Sequence, residues 1–311
     1  MAPNPYGLYT HRLAVIFRPT SMNKDIIMKF KMKAVFTGLM IILIAFFSLQ
    51  ACMRKLIDNI TFQIKPASEM PYPDGVHYRE INLTHNKRSV RARITEIRDI
   101  PTNNIVVILF NGIGGNIADW RYFQKYLADG GITSVSFDYG PLSDTLRKKG
   151  TSRLSDVTKD INTIIDTLKK TYGDSLQLFL LGHSVGNAVM LEMYTHTVTS
   201  QLKGVIICNS FLSLKKWNIQ HHYLPKAFAF VFPNYFNNAD NIKKNYKPVL
   251  IIHSKADSVN LFGDAKKLFD LANLPKEFIE FDNFGHNDID KKDNFPYWLP
   301  IVNFIKNKTG K

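Results

Sequence analysis

The chain has 311 residues, 45 % of them apolar and 21 % charged, which fits one large α/β domain behind an N-terminal segment. Two cysteines, Cys52 and Cys208, exclude a disulfide framework and a cysteine-based zinc site. The net charge of +14 is spread over single and paired lysines with no arginine-rich stripe, which argues against a nucleic-acid partner and for a solvated basic surface or loose attraction to anionic lipid.

In chain order, the first readable segment starts at Met28, "MKFKMKAVFTGLMIILIAFFSLQAC". Lys29, Lys31 and Lys33 precede an apolar run of sixteen residues, Ala34 to Leu49, broken only by Thr37, Gly38 and Ser48. These are the physical parts of a secretory signal over residues 28–51. Its end, Leu49-Gln50-Ala51-Cys52, resembles the bacterial lipobox, in which an aliphatic and a small residue precede the cysteine that receives the lipid. Gln50 departs from the small residue usual at its position. The resemblance implies lipid attachment at Cys52 and a membrane-anchored place in the cell envelope, on the periplasmic or surface side. The alternative is a single uncleaved transmembrane anchor, for which the run is slightly short. Residues 1–27 precede a complete signal and are expected to be an extended or non-native N-terminus. Residues 52–74, with Pro66, Pro71 and Pro73, are expected to form a polar, lipid-anchored tether.

From residue 75 to 311 the texture is that of one folded domain. "VHYREINLTH" and "SVRARITEIRD" alternate strictly and predict an antiparallel hairpin. Continuous apolar strands are then predicted at 104–110, 132–139, 176–182, 202–209, 248–254 and 276–282. Helices are predicted at 118–128, 155–172, from 187 to 196, at 261–272 and at the C-terminus, the last kinked at Pro300. Apolar strands alternating with helices predict a mostly parallel sheet with helices on both faces. Residues 210–247 break this rhythm and carry Trp217, Tyr223, Phe228, Phe230, Phe232, Tyr235 and Phe236. An aromatic insertion at the C-terminal edge of a parallel sheet predicts a short cap over a site. Cys208, in "GVIICN", is expected to be an inert buried thiol.

The strand at 176–182 runs into "GHSVG", which the helical "NAVMLEMYTH" follows at once. A lone Gly-x-Ser-x-Gly arises by chance in roughly a tenth of chains this long. Strand, turn and helix together are what a nucleophile elbow requires, with Ser184 projecting from the top of the sheet at a helix N-terminus. The rival reading is a plain N-cap serine. A serine needs a base. In the order nucleophile, acid, histidine, His286 in "FDNFGHNDI" is the histidine that follows the last strand, and Asp257 in "PVLIIHSKADSVN" is the acid just beyond a strand end. The amide of Val185 and that of Ile113, in the glycine-rich loop "NGIGGN", are the expected oxyanion donors. A phosphate-binding loop fits less well, because no Lys-Ser/Thr pair closes it.

Residues 75–305 resemble the α/β-hydrolase superfamily, nearest to its small-capped esterase, thioesterase and acyl-peptidase-like serine hydrolases. The matching segments, in order, are "LFNGIGGNIADW", "FDYGPLSDT", "GHSVG", "HSKADSVN" and "GHNDI". Asn111 stands where the family usually has histidine, Gly140 replaces an arginine, Ser254 a glycine and Asn260 a proline. The resemblance implies an α/β-hydrolase fold and a serine hydrolase that cleaves an ester, thioester or amide through an acyl-enzyme, with no cofactor and no metal. A small-molecule or lipid acyl compound would be the substrate, and the N-terminal lipid or anchor would be the link to the membrane. The alternative is a catalytically inactive binding protein on the same fold. Serine in place of aspartate at position 184 argues against a dehalogenase, and the absence of clustered His/Asp spacing argues against a metal hydrolase.

Overall fold

Strands with no polar alternation bury both faces, and the computed structural model of the protein places them at the centre of one sheet. It describes residues 24–62, 71–85, 88–96, 104–141, 152–194, 200–291 and 295–310. The chain divides into two units, Met1–Ser48 and Leu49–Lys311. The described part of the first unit is helical, as the beginning of helix α1 (Lys24–Thr61). Its apolar side chains stand exposed, including Phe30, Phe36, Ile42 and Phe47. Met28–Thr61 is long and apolar enough to cross a membrane, its most apolar 18-residue stretch having a mean hydropathy of 2.2.

In the second unit, β1 (His77–His85) and β2 (Arg88–Glu96) form the expected antiparallel hairpin. Then follow β3 (Ile105–Phe110), α2 (Arg121–Asp129), β4 (Thr133–Pro141), α3 (Leu154–Tyr172), β5 (Gln177–His183) and α4 (Val185–Tyr194). β6 (Leu202–Cys208) leads into the insertion, which holds α5 (Leu214–Gln220), a 3-10 turn (Lys226–Val231) and α6 (Asn238–Ile242). β7 (Val249–Ser254), α7 (Phe262–Leu271), β8 (Lys276–Phe281) and α8 (Phe295–Thr309) complete the chain. The sheet order is β1-β2-β4-β3-β5-β6-β7-β8. β2 meets β4 antiparallel, and every pair from β4 to β8 is parallel.

The pleat sends alternate residues to opposite faces, and β3 shows it. Val106, Ile108 and Phe110 enter the core under α3, α4 and α7, while Ile105, Val107 and Leu109 enter the core under α2 and α8. On α3, Val157, Ile161, Ile164, Ile165 and Leu168 make the buried stripe that their spacing predicts. Arg88 donates to both carboxylate oxygens of Asp160 at 2.9 Å and so ties the hairpin to α3.

One expectation needs correction. Residues 52–61, expected to be tether, are the last turns of α1, and Phe62 just beyond them is buried between Tyr139 and Phe236. Within the insertion, Phe232 and Phe236 are buried, and Phe236 belongs to the main core. The stretches 1–23, 63–70, 142–151 and 195–199, which include Pro66, the end of "FDYGPLSDT" and the predicted last turn after β5, lie outside the described residues.

Candidate active site

β5 ends inside the glycine motif, and α4 begins one residue after Ser184. The turn between them needs a residue in the left-handed region, and Ser184 has φ 54°. Such a conformation costs a non-glycine residue about 1–3 kcal/mol and persists only where its surroundings enforce it. The flanking glycines are required by close approach. A Cβ on Gly186 would lie 2.3 Å from the Phe110 carbonyl oxygen and 2.5 Å from that of Asn111. A Cβ on Gly182 would lie 2.8 Å from the backbone N of Asn187. The Asn187 amide nitrogen closes the turn by donating to the carbonyls of Ser184 (3.0 Å) and Cys208 (2.7 Å).

His286, in the loop after β8, has Nε2 at 2.9 Å from Ser184 Oγ and Nδ1 at 2.8 Å from Asp257 Oδ2. The acceptor-only carboxylate sets the tautomer: Nδ1–H donates to Asp257, which leaves Nε2 to accept from the serine hydroxyl. Asp257 Oδ1 accepts from the amides of Val259 (2.9 Å) and Asn260 (2.8 Å). Burial alone would raise the Asp257 pKa, but the hydrogen bonds from His286 and the Asn260 amide outweigh it and hold the carboxyl below its ordinary value. Ser184, Asp257 and His286, separated by up to 102 residues, therefore form one hydrogen-bonded line.

This line opens on a cleft of about 550 Å³. Gly112, Ile113 and Gly115 from the loop after β3 form one wall, and Phe211, Leu214, Trp217 and Val259 form an apolar one. Ile113 and Val185 both line the cleft. Among the described residues neither amide has an acceptor: Val185 is the first residue of α4, and first-turn amides have no partner inside their helix. Asn111, at the position usually held by histidine, braces this loop from behind. Its Nδ2 donates to the Phe137 carbonyl at 3.1 Å, its Oδ1 accepts from the Trp120 indole, and its own carbonyl accepts from the Tyr139 hydroxyl at 2.9 Å. Cys52 is exposed on α1 and takes no part in the cleft. Cys208 is buried, and burial pushes its thiol up to about 12, in keeping with an inert role.

Two supporting residues escape a search by residue type. His183, which precedes the serine in the chain, is buried and donates from Nε2 to the His286 carbonyl at 2.8 Å. Burial first, then the neighbouring His286, lowers its pKa to about 4, so it stays neutral. Asn209, at the end of β6, donates to the same carbonyl at 2.9 Å and accepts from the Tyr297 hydroxyl at 3.0 Å. Both act through a backbone oxygen, which no sequence motif reveals. Their only signal is position, since each caps the C-terminal end of a central strand next to the serine. The cap reaches the acid loop in a similar way, because Trp217 Nε1 and His221 Nε2 both donate to the Val259 carbonyl at 3.0 Å.

The sheet order and the strand–turn–helix at Ser184 are those of the α/β-hydrolase fold. Comparison with known proteins agrees: residues 101–240 match the family described as "Serine aminopeptidase, S33". The chain has the α/β-hydrolase fold. An esterase of Pyrococcus furiosus shares the fold at TM-score 0.59 and 14 % identity, over 80 % of this chain and 98 % of that one. Among curated proteins, the uncharacterized protein YfhR of Escherichia coli O157:H7 is 24 % identical over 66 % of this chain and 72 % of its own. The lysophosphatidylserine lipase ABHD12 of Xenopus tropicalis is 25 % identical over 65 % of this chain, which spans 56 % of the lipase's length.

Proposed function

We propose that the protein is a serine hydrolase that cleaves an ester, thioester or amide of an acyl compound through an acyl-enzyme, attached to a membrane of the cell envelope. The observation that carries this reading is the continuous line from Ser184 Oγ through His286 to Asp257, aimed into the cleft. Ser184 Oγ attacks the substrate carbonyl while His286 Nε2 takes its proton. Asp257 holds the imidazole in the donating tautomer and stabilises the imidazolium. The negative charge that builds on the carbonyl oxygen is met by the amides of Ile113 and Val185, which have no other acceptor among the described residues. The imidazolium then protonates the leaving group, and water enters by the same steps in reverse to release the acid and restore Ser184.

The apolar wall of Phe211, Leu214, Trp217 and Val259 favours an acyl chain in the cleft. The distant similarity to a lysophosphatidylserine lipase supports a lipid-like substrate. The apolar stretch of α1 supports attachment either by an uncleaved helix or by a lipid on Cys52. Mass spectrometry of the membrane-extracted chain separates the two modes, because a lipid on Cys52 is lost in Cys52→Ala and an uncleaved helix is not. The central test uses a fluorophosphonate probe. The wild type is expected to be labelled at Ser184 and the Ser184→Ala variant not at all; equal labelling of both would overturn the assignment.

A further inference from the structure

The cap turns a run of aromatic residues to solvent on an element that also walls the cleft. Tyr223 is 72 % exposed, Phe228 58 % and Phe230 67 %. One exposed apolar residue is ordinary, but three large rings within eight residues are not. The Tyr223 ring stacks on Trp217 with centroids 5.7 Å apart, and Trp217 lines the cleft, so the exposed rings begin at its rim. From Leu214 to Pro233 the sequence holds no acid. Lys216 is paired with Asp264, while Lys215 and Lys226 make no ion pair among the described residues. Exposed aromatic rings beside such lysines match the chemistry of an anionic lipid surface.

The last turns of α1 supply a second observation. The Tyr235 hydroxyl donates to the Asp58 carboxylate, the Arg54 guanidinium lies 5.9 Å from the Tyr235 ring centre, and Phe62 meets Phe236 edge-on at 6.4 Å. The last turns of α1 are thus fastened to the cap. Residues 49–61 are helical, so Leu49, at the end of the apolar run, lies about 13 Å along the axis from Asp58, and Cys52 about 9 Å. A lipid on Cys52 would therefore sit only a few helical turns from the cap.

We infer that the cap surface formed by Tyr223, Phe228 and Phe230 is a membrane-docking face, which seats the mouth of the cleft on an anionic bilayer. An acyl substrate then passes from the bilayer to Ser184 along apolar walls without crossing bulk water. This rests on the reading of the protein as a membrane-attached hydrolase.

The test is photo-crosslinking of the full chain in vesicles of phosphatidylcholine and phosphatidylglycerol doped with a phospholipid that carries a diazirine on its acyl chain. Adducts are mapped by mass spectrometry. They are expected on the peptide that spans residues 221–233. They are not expected around Leu274, which is 78 % exposed at the opposite edge of the sheet, just before β8. Replacing phosphatidylglycerol with phosphatidylcholine is expected to lower the cap yield several-fold, as is the double variant Phe228→Ser, Phe230→Ser. Adducts confined to α1, or equal yields at Leu274 and the cap, would each overturn the proposal. Fluorophosphonate labelling of Ser184 in the same samples keeps the two readings apart: loss of labelling refutes the hydrolase, while the lipid map reports on docking alone.

Discussion

Replacing His183 by glutamine exposes a pH dependence built into the support of the site. The imidazole is buried, and burial together with the nearby His286 lowers its pKa from 6.5 to about 4. A depressed pKa fixes the sign. Below pH 6.5 the unfolded chain binds a proton that the folded chain refuses, so the stability carried by neutral His183 is intact above pH 6.5 and is lost as pH falls to about 4. At roughly 1.4 kcal/mol per pH unit, the loss over that interval is about 3 kcal/mol. His253, whose pKa burial also lowers, titrates in the same direction but is common to wild type and variant, so it cancels in their difference. Guanidinium unfolding of the full chain in detergent, followed by tryptophan fluorescence between pH 7.5 and 4.5, measures the effect. The variant is expected to start less stable, because the glutamine amide can still donate to the His286 carbonyl but does not fill the space of the buried imidazole ring. Its stability then declines less steeply, and the gap to wild type closes by about 2–3 kcal/mol at the acid end. Parallel curves would show that His183 is protonated in the folded protein and would refute the reasoning.

Other perturbations probe separate parts of the machinery. Asp257→Asn keeps the volume but lets the imidazole adopt the wrong tautomer, and kcat on an activated ester is expected to fall by about 10⁴-fold with little change in thermal midpoint. Gly186→Ala forces a Cβ to within 2.3 Å of a backbone carbonyl and is expected to cost well over 3 kcal/mol or prevent folding. Gly263→Ala, where a Cβ would meet nothing within 4 Å, is expected to be neutral or to stabilise by up to about 1 kcal/mol, and calorimetry of the pair tests the contrast. Tyr235→Phe removes the donor to the buried Asp58 carboxylate and is expected to cost about 1–3 kcal/mol, read as a lower thermal midpoint; an unchanged midpoint would mean that water replaces the phenol.

What the sequence made legible follows from how local each signal is. β3, β5, β6 and β7 read directly because strands buried on both faces are apolar without interruption. The proposed triad read from three short motifs because each sits at the end of a strand, where the fold gathers loops. The insertion was legible as an aromatic interruption but not in its division of labour. A phenylalanine in an irregular segment has no period to say which way it faces, and Phe236, at φ 51°, turns inward while Phe228 and Phe230 stay outside. The end of α1 was missed for a related reason. "MRKLIDNIT" has charges enough to read as a spacer, yet its role is set by Tyr235 and Phe236, more than 170 residues further on. His183 and Asn209 were invisible because what they hold is a main-chain oxygen.

The burial of Phe62 has a practical corollary for truncation. A fragment begun at residue 75, where the alternating strands start, would omit this side chain and leave a void of one phenyl ring between Tyr139 and Phe236. Emptying such a site costs about 3–5 kcal/mol, a large share of the stability of a typical domain. A shortened chain that omits the apolar helix must therefore keep residues 53–62 as part of its folded body, with the cut placed ahead of them.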